Sequence, residues 1–183
     1  SLEEEVRRVK KELRRVLEKS TKLIEEVTRE LETVLRESRD RVRRAKEELK
    51  EAVREVRRDV GEGEKLRDAE RVVEDLLREL DDSLRKTEEM VKELKKKLDK
   101  SNKTTADLVR ELLKRLDKVL KDGGEEEVRK VVEDVERVLR ELEKHDRDVA
   151  EEVRRVLDEL RKHDEDVRRK LRKVLEELKE KIK

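Results

Sequence analysis

Two consecutive stretches near the C-terminus repeat each other without a gap: HDRDVAEEVRRVLDELRK (residues 145–162) and HDEDVRRKLRKVLEELKE (residues 163–180). Their apolar residues recur at steps of three and four, as in Val149, Val153 and Val156, which is the spacing of one face of an α-helix. Eighteen residues make five full turns at 3.6 residues per turn, so equivalent residues lie on the same helix face. The repeat therefore predicts a long helix with very little supercoil.

The same 18-residue spacing runs through the rest of the chain, in columns such as Leu13, Leu31, Leu49 and Val73, Val91, Val109. The chain has only four glycines, at positions 61, 63, 123 and 124, and glycine commonly follows the last residue of a helix. They divide the chain into helices of about 1–60, 64–121 and 125–183, with loops at 61–63 and 122–124. Loops this short force neighbouring helices to run antiparallel. We therefore predict an all-α fold, a long, nearly straight, antiparallel up-down-up three-helix bundle that forms a single domain.

Composition excludes several classes of function. Charged residues make up 58% of the chain, yet the net charge is only +1, which argues against a dedicated nucleic-acid binder. The chain has no Cys, so disulfides and thiolate metal sites are absent. No apolar run approaches the length of a membrane span, and no targeting signal is recognisable at the N-terminus. We expect no cofactor, no metal and no required partner.

Polar residues interrupt the apolar faces at the same 18-residue spacing. Facing residue numbers across the two loops add up to about 124 for helices one and two and about 246 for helices two and three. This register collects the polar residues into two layers, a first layer of Ser20, Ser101, Thr105 and His145 and a second layer of Ser38, Ser83, Thr87 and His163. Asn102 lies beside the first layer, as do Thr21 and Thr104. Because a buried polar group without a partner is costly, we predict two buried hydrogen-bond networks in which each His links hydroxyl groups.

The layers are best interpreted as devices that specify helix register, because Leu and Val columns alone could slide past one another at little cost. A metal site is disfavoured, since each layer offers a single His. A hydrolytic site is disfavoured because Asp146 and Asp164, which follow the histidines, point about 100° away from them along the helix. A pH response through buried histidines stays open as an alternative, because imidazole titrates near physiological pH.

The near-equal helices, the GEG and DGG loops, the absence of aromatic residues and the repeated Ser/Thr/His layers resemble de novo designed helical bundles of the parametric kind, with buried hydrogen-bond networks. The resemblance implies a structural scaffold with no natural substrate and no enzyme activity. Without a targeting signal the natural compartment stays unassigned, and we expect a soluble protein made in the cytoplasm of a recombinant host. We expect a monomer. The alternative is a helix-bundle interaction or oligomerisation module, with a homo-oligomer left open, whose contact surface would be the columns Val72, Met90, Leu108 and Leu77, Lys95, Leu113.

Overall fold

The computed structural model describes residues 1–183 as three α-helices without strands. They are α1 (Leu2–Val60), α2 (Glu64–Asp122) and α3 (Glu125–Ile182), each within one residue of the boundary expected from the glycines. Every helix packs against both of the others. The prediction of an all-α, antiparallel three-helix bundle is therefore confirmed.

Hydrogen bonds at both ends of α1 explain why the helix begins and ends at these residues. Ser1 Oγ accepts a hydrogen bond from the backbone N–H of Glu4 over 3.4 Å, and the Glu4 carboxylate reaches back to the amino terminus over 3.6 Å. This reciprocal arrangement is a capping box. At the other end of α1, the N–H of Gly61 donates to the carbonyl of Arg57 over 3.0 Å, with φ at 71°. Only glycine adopts that left-handed conformation readily.

Gly61→Ala is expected to lower the free energy of unfolding by about 1 kcal/mol, because an L-residue in the left-handed region costs roughly 1–2 kcal/mol. The matched control is Gly63→Ala in the same loop, where φ is not positive and an added Cβ would meet nothing within 4 Å. That change should be neutral or stabilising by up to about 1 kcal/mol, since it restricts only the unfolded chain. Urea unfolding of both variants provides the comparison, and equal effects would contradict the assignment of strain to Gly61.

The chain forms two compact units, each of which contains a piece of every helix. Unit 1 comprises residues 1–30 and 93–154, and unit 2 comprises residues 31–92 and 155–183. Each unit has its own cluster of buried apolar side chains. The cluster of unit 1 includes Val9, Leu13, Leu116 and Val135, and that of unit 2 includes Leu49, Leu66, Leu80 and Leu178.

Ion pairs between helices show the chain directions within each unit. In unit 1, Lys97 contacts Glu152 and Arg115 contacts Asp134, so α2 and α3 run antiparallel. In unit 2, ion pairs join α1 to α2 in the same antiparallel sense, at Arg39–Glu88, Lys46–Asp81 and Arg57–Glu70.

Candidate functional site

The first polar layer lies in unit 1 and connects α3 to both of the other helices. Ser20 on α1 donates a hydrogen bond to Oδ1 of Asp146 over 2.5 Å. Ser101 Oγ on α2 lies 2.6 Å from Nε2 of His145. The adjacent residues His145 and Asp146 therefore serve two different neighbours, with the histidine turned to α2 and the aspartate to α1.

The second polar layer lies in unit 2 and repeats this arrangement. Ser38 donates to Oδ1 of Asp164 over 3.4 Å, and Ser83 Oγ makes a short contact with Nε2 of His163. The α1 and α3 partners are 126 residues apart in both layers. Unit 2 adds one cation, because Arg41 Nη1 donates to Oδ2 of Asp164.

The structure corrects the hydrogen-bond scheme predicted for the histidines. We expected each His to link two hydroxyl groups, but each histidine makes a hydrogen bond only to the serine of α2. The α1 serine is bound by the following aspartate instead. The angle of about 100° between successive helix residues is the physical reason. It turns Asp146 and Asp164 away from the histidines, as predicted, and directs them to the third helix.

The predicted burial is also wrong for part of each layer. The buried members are the two α1 serines and the two threonines, Ser20, Ser38, Thr87 and Thr105. The half-buried members are Ser83, Ser101, Asn102 and His163. His145 is exposed and His163 is half-buried, so neither histidine is buried as the pH-response alternative assumed.

Three further polar residues lie around the first layer. Asn102 Oδ1 accepts a hydrogen bond from Thr21 Oγ1 over 3.2 Å, so this pair extends the layer between α1 and α2. Thr104 Oγ1 donates to the carbonyl of Lys100, one turn back in its own helix, over 2.9 Å. Thr87 and Thr105 take no part in the hydrogen bonds between helices. No fully buried side-chain nitrogen or oxygen lacks a partner.

Sequence reasoning missed Asp146, Asp164 and Arg41 as members of the layers. A signal for the aspartates was present, because both histidines are followed by Asp and both aspartates lie 126 residues after a layer serine. Arg41 had no such signal. Its 18-residue column also holds Glu5, Leu23 and Asp59, so the periodicity favours no single residue type there.

A surface groove adjoins each layer, and the two grooves differ in charge. The groove of unit 1 has a volume of about 420 Å³ and is lined by two lysines, three hydroxyl residues, two leucines and His145, with no carboxylate. The groove of unit 2 has a volume of about 490 Å³ and is lined by four carboxylates and three arginines as well as Ser38, Ser83 and Thr87. A further groove of unit 1, beside Asp146, has a volume of about 570 Å³ and is lined by three carboxylates and three cations.

Comparison with known proteins gives no match to a family model, a curated protein or a solved structure. No three His, Cys, Asp or Glu residues are grouped so that they could hold a metal ion. None of the three helices contains a stretch long and apolar enough to cross a membrane.

Proposed function

We propose that this chain is a structural scaffold without a natural biochemical activity, in which the two polar layers specify how the three helices meet. The style of the sequence, which resembles de novo designed bundles, supports a scaffold role. The observation that carries the proposal is the repetition of the layers. Each uses one Ser–Asp contact from α1 and one Ser–His contact from α2, at the same separation of 126 residues between α1 and α3.

The layers act against small shifts of the helices. The loops are too short for a slide by a whole 18-residue repeat, which would be roughly 27 Å, so a shift by one turn of roughly 5.4 Å is the relevant error. Such a shift of α1 would place Asp146 beside Val16 or Ile24 instead of Ser20. A carboxylate next to an apolar side chain loses its hydrogen bond and part of its hydration, whereas Leu and Val columns repack at little cost. Polar layers of this kind favour one register over its neighbours.

The distribution of charge also favours one direction of pairing between α2 and α3 in each unit. In unit 1, the α2 piece (93–122) has ten basic and six acidic residues, and the α3 piece (125–154) has seven basic and twelve acidic residues. In unit 2, the signs are reversed. The α2 piece (64–92) has seven basic and ten acidic residues, and the α3 piece (155–183) has eleven basic and eight acidic residues. Antiparallel pairing of α2 and α3 brings opposite charges together, and parallel pairing would bring like charges together.

Replacing the first layer by apolar residues is expected to leave stability unchanged or higher and to broaden the helix register. The variant carries Ser20→Ala, Ser101→Ala, Thr105→Val, His145→Leu and Asp146→Ala. Well-filled apolar cores lose structural uniqueness before they lose stability. The readout is the distance between spin labels on cysteines introduced at Arg7 and Arg147, because a one-turn shift changes their axial separation by roughly 5.4 Å.

The parent should give one narrow distance distribution, and the apolar variant a broad or double one. The matched control is Lys19→Ala, Lys103→Ala and Lys144→Ala, three exposed residues next to the layer, and it should keep the narrow distribution. A narrow distribution in the apolar variant, together with a loss of stability, would show that the layer contributes stability and not specificity.

The interaction or oligomerisation module remains the alternative proposal. The observation in its favour is partial exposure, because all six residues of the two candidate columns are half-buried and Leu120 is 37% exposed. Single apolar residues at the surface are normal for a monomer, so this observation favours the alternative only weakly. A mass above 22.1 kDa in sedimentation equilibrium would support the module over the monomeric scaffold.

A further inference from the structure

The Ser101–His145 contact lies at the surface of unit 1 and opens onto a groove. The Oγ–Nε2 distance is 2.6 Å, Ser101 is half-buried and His145 is exposed. A hydroxyl within hydrogen-bond reach of an imidazole is the arrangement that activates serine as a nucleophile. We propose that Ser101 and His145 form a nucleophile–base pair that cleaves aryl esters carrying a negative charge.

The reaction needs only the ester and water. Ser101 Oγ attacks the ester carbonyl carbon while His145 Nε2 takes the hydroxyl proton. The bond from that carbon to the aryl oxygen then breaks, and the phenol leaves with the proton from His145. Water attacks the acyl–Ser101 ester, with His145 as the base again, and releases the carboxylic acid and the free serine. The sum is one ester and one water converted to one acid and one phenol.

The lining of the groove indicates this class of substrate. Leu108 and Leu142 offer an apolar surface for an aromatic ring. Lys97 and Lys100 provide positive charge beside it, although Lys97 also contacts Glu152 at 3.8 Å. No carboxylate is among the residues that line the groove, so none of them repels a negatively charged ester.

Two features keep the expected rate modest. Asp146 is bonded to Ser20, so it does not orient the imidazole as the aspartate of a catalytic triad does. The backbone N–H groups inside α2 are used within the helix, so the charge that develops on the carbonyl oxygen is stabilised only by side-chain donors of the groove such as Lys100 and Thr105. General-base catalysis contributes about 10²–10⁴-fold where the geometry is complete, and we expect the low end or less.

The second layer offers an internal control. Ser83 and His163 make the same contact, but both are half-buried, and four carboxylates line the groove beside Ser83. His163 is not among the residues that line it. Ser83 and His163 therefore make the same contact as Ser101 and His145, but they do not share a groove lined by lysines and free of carboxylates. We expect this second pair to be inactive towards anionic esters.

The test uses the full chain with mono-(4-nitrophenyl) glutarate as the anionic ester and 4-nitrophenyl acetate as the neutral one, near neutral pH. Release of 4-nitrophenol is followed by absorbance, and the acylated residue is located by peptide mass spectrometry. The parent should acylate Ser101. Ser101→Ala and His145→Asn should each abolish that acylation and lower the initial rate by about tenfold or more, which is at or below the low end of general-base effects. Ser83→Ala and His163→Asn should leave both readouts unchanged, and circular dichroism checks the fold of every variant.

Acyl groups found on His145 or on a lysine of the parent, with none on Ser101, would overturn the proposal. So would a rate for Ser101→Ala equal to that of the parent. Lys100→Gln should lower kcat/KM for the anionic ester more than for the neutral ester, because the lysine also faces the carbonyl oxygen of both. Equal effects on both esters would overturn the assignment of substrate charge. None of these outcomes bears on the scaffold role, which is tested by the spin-label distances.

Discussion

Leu49→Ala is expected to lower the free energy of unfolding by about 2–5 kcal/mol, the largest effect of any single change considered for this chain. Leu49 is 0% exposed and belongs to the apolar cluster of unit 2, together with Leu66 and Leu80. Truncation removes the transfer free energy of the side chain and leaves a cavity. Long helices joined by short loops have little freedom to collapse into such a cavity.

Urea unfolding followed by circular dichroism measures this loss. The control is Leu120→Ala, the same chemical change at a residue that is 37% exposed, and it should cost no more than about 0.5 kcal/mol. Leu49→Met, which preserves volume, should cost less than about 1.5 kcal/mol. A loss for Leu49→Ala no larger than that for Leu120→Ala would mean that the side chain at position 49 is not enclosed.

The fold could be predicted because its two determinants are local. The 3.6-residue period identifies the buried face, and the column Leu13, Leu31, Leu49 is fully buried at all three positions. The glycines could be assigned to helix ends because each is required by its own backbone geometry. Gly61 has a positive φ, and Gly123 lies so close to other atoms that a side chain would not fit. An added Cβ at Gly123 would lie 2.7 Å from the carbonyl oxygen of Val119.

The layers could be predicted only in part, because their contacts depend on how the helices are placed around α3. Loop positions give the height of a residue along the bundle, and that sufficed to bring Ser101 to His145 and Ser83 to His163. Periodicity does not tell which side of α3 faces α1, so the Ser–Asp contacts were missed.

The Arg41–Asp164 pair is expected to behave as a coupled unit. Each single replacement, Arg41→Leu or Asp164→Val, should lower the free energy of unfolding by about 1–2 kcal/mol, because each leaves a partly buried charge without its main partner. The side chains are 31% and 17% exposed, so the loss is smaller than for a fully buried pair. Without Asp164, Arg41 keeps only Glu37, at 3.8 Å.

The double variant should be more stable than either single variant and close to the parent, because apolar residues can replace an ion pair of limited exposure without leaving a charge behind. Apolar residues occur in both 18-residue columns, since the column of Arg41 contains Leu23 and that of Asp164 contains Val128. A double-mutant cycle from urea unfolding should give a coupling energy of about 2–4 kcal/mol, because the double variant regains what the two single variants lose.

The matched control for this cycle is the Arg39–Glu88 pair, which also joins two helices in unit 2 but is 56% and 41% exposed. Its coupling energy should stay below about 0.5 kcal/mol, because water screens both charges. Equal coupling in the two pairs would mean that Asp164 is as well hydrated as a surface carboxylate. The second layer would then hold its helices through hydroxyl contacts alone, and Arg41 would have no role in it.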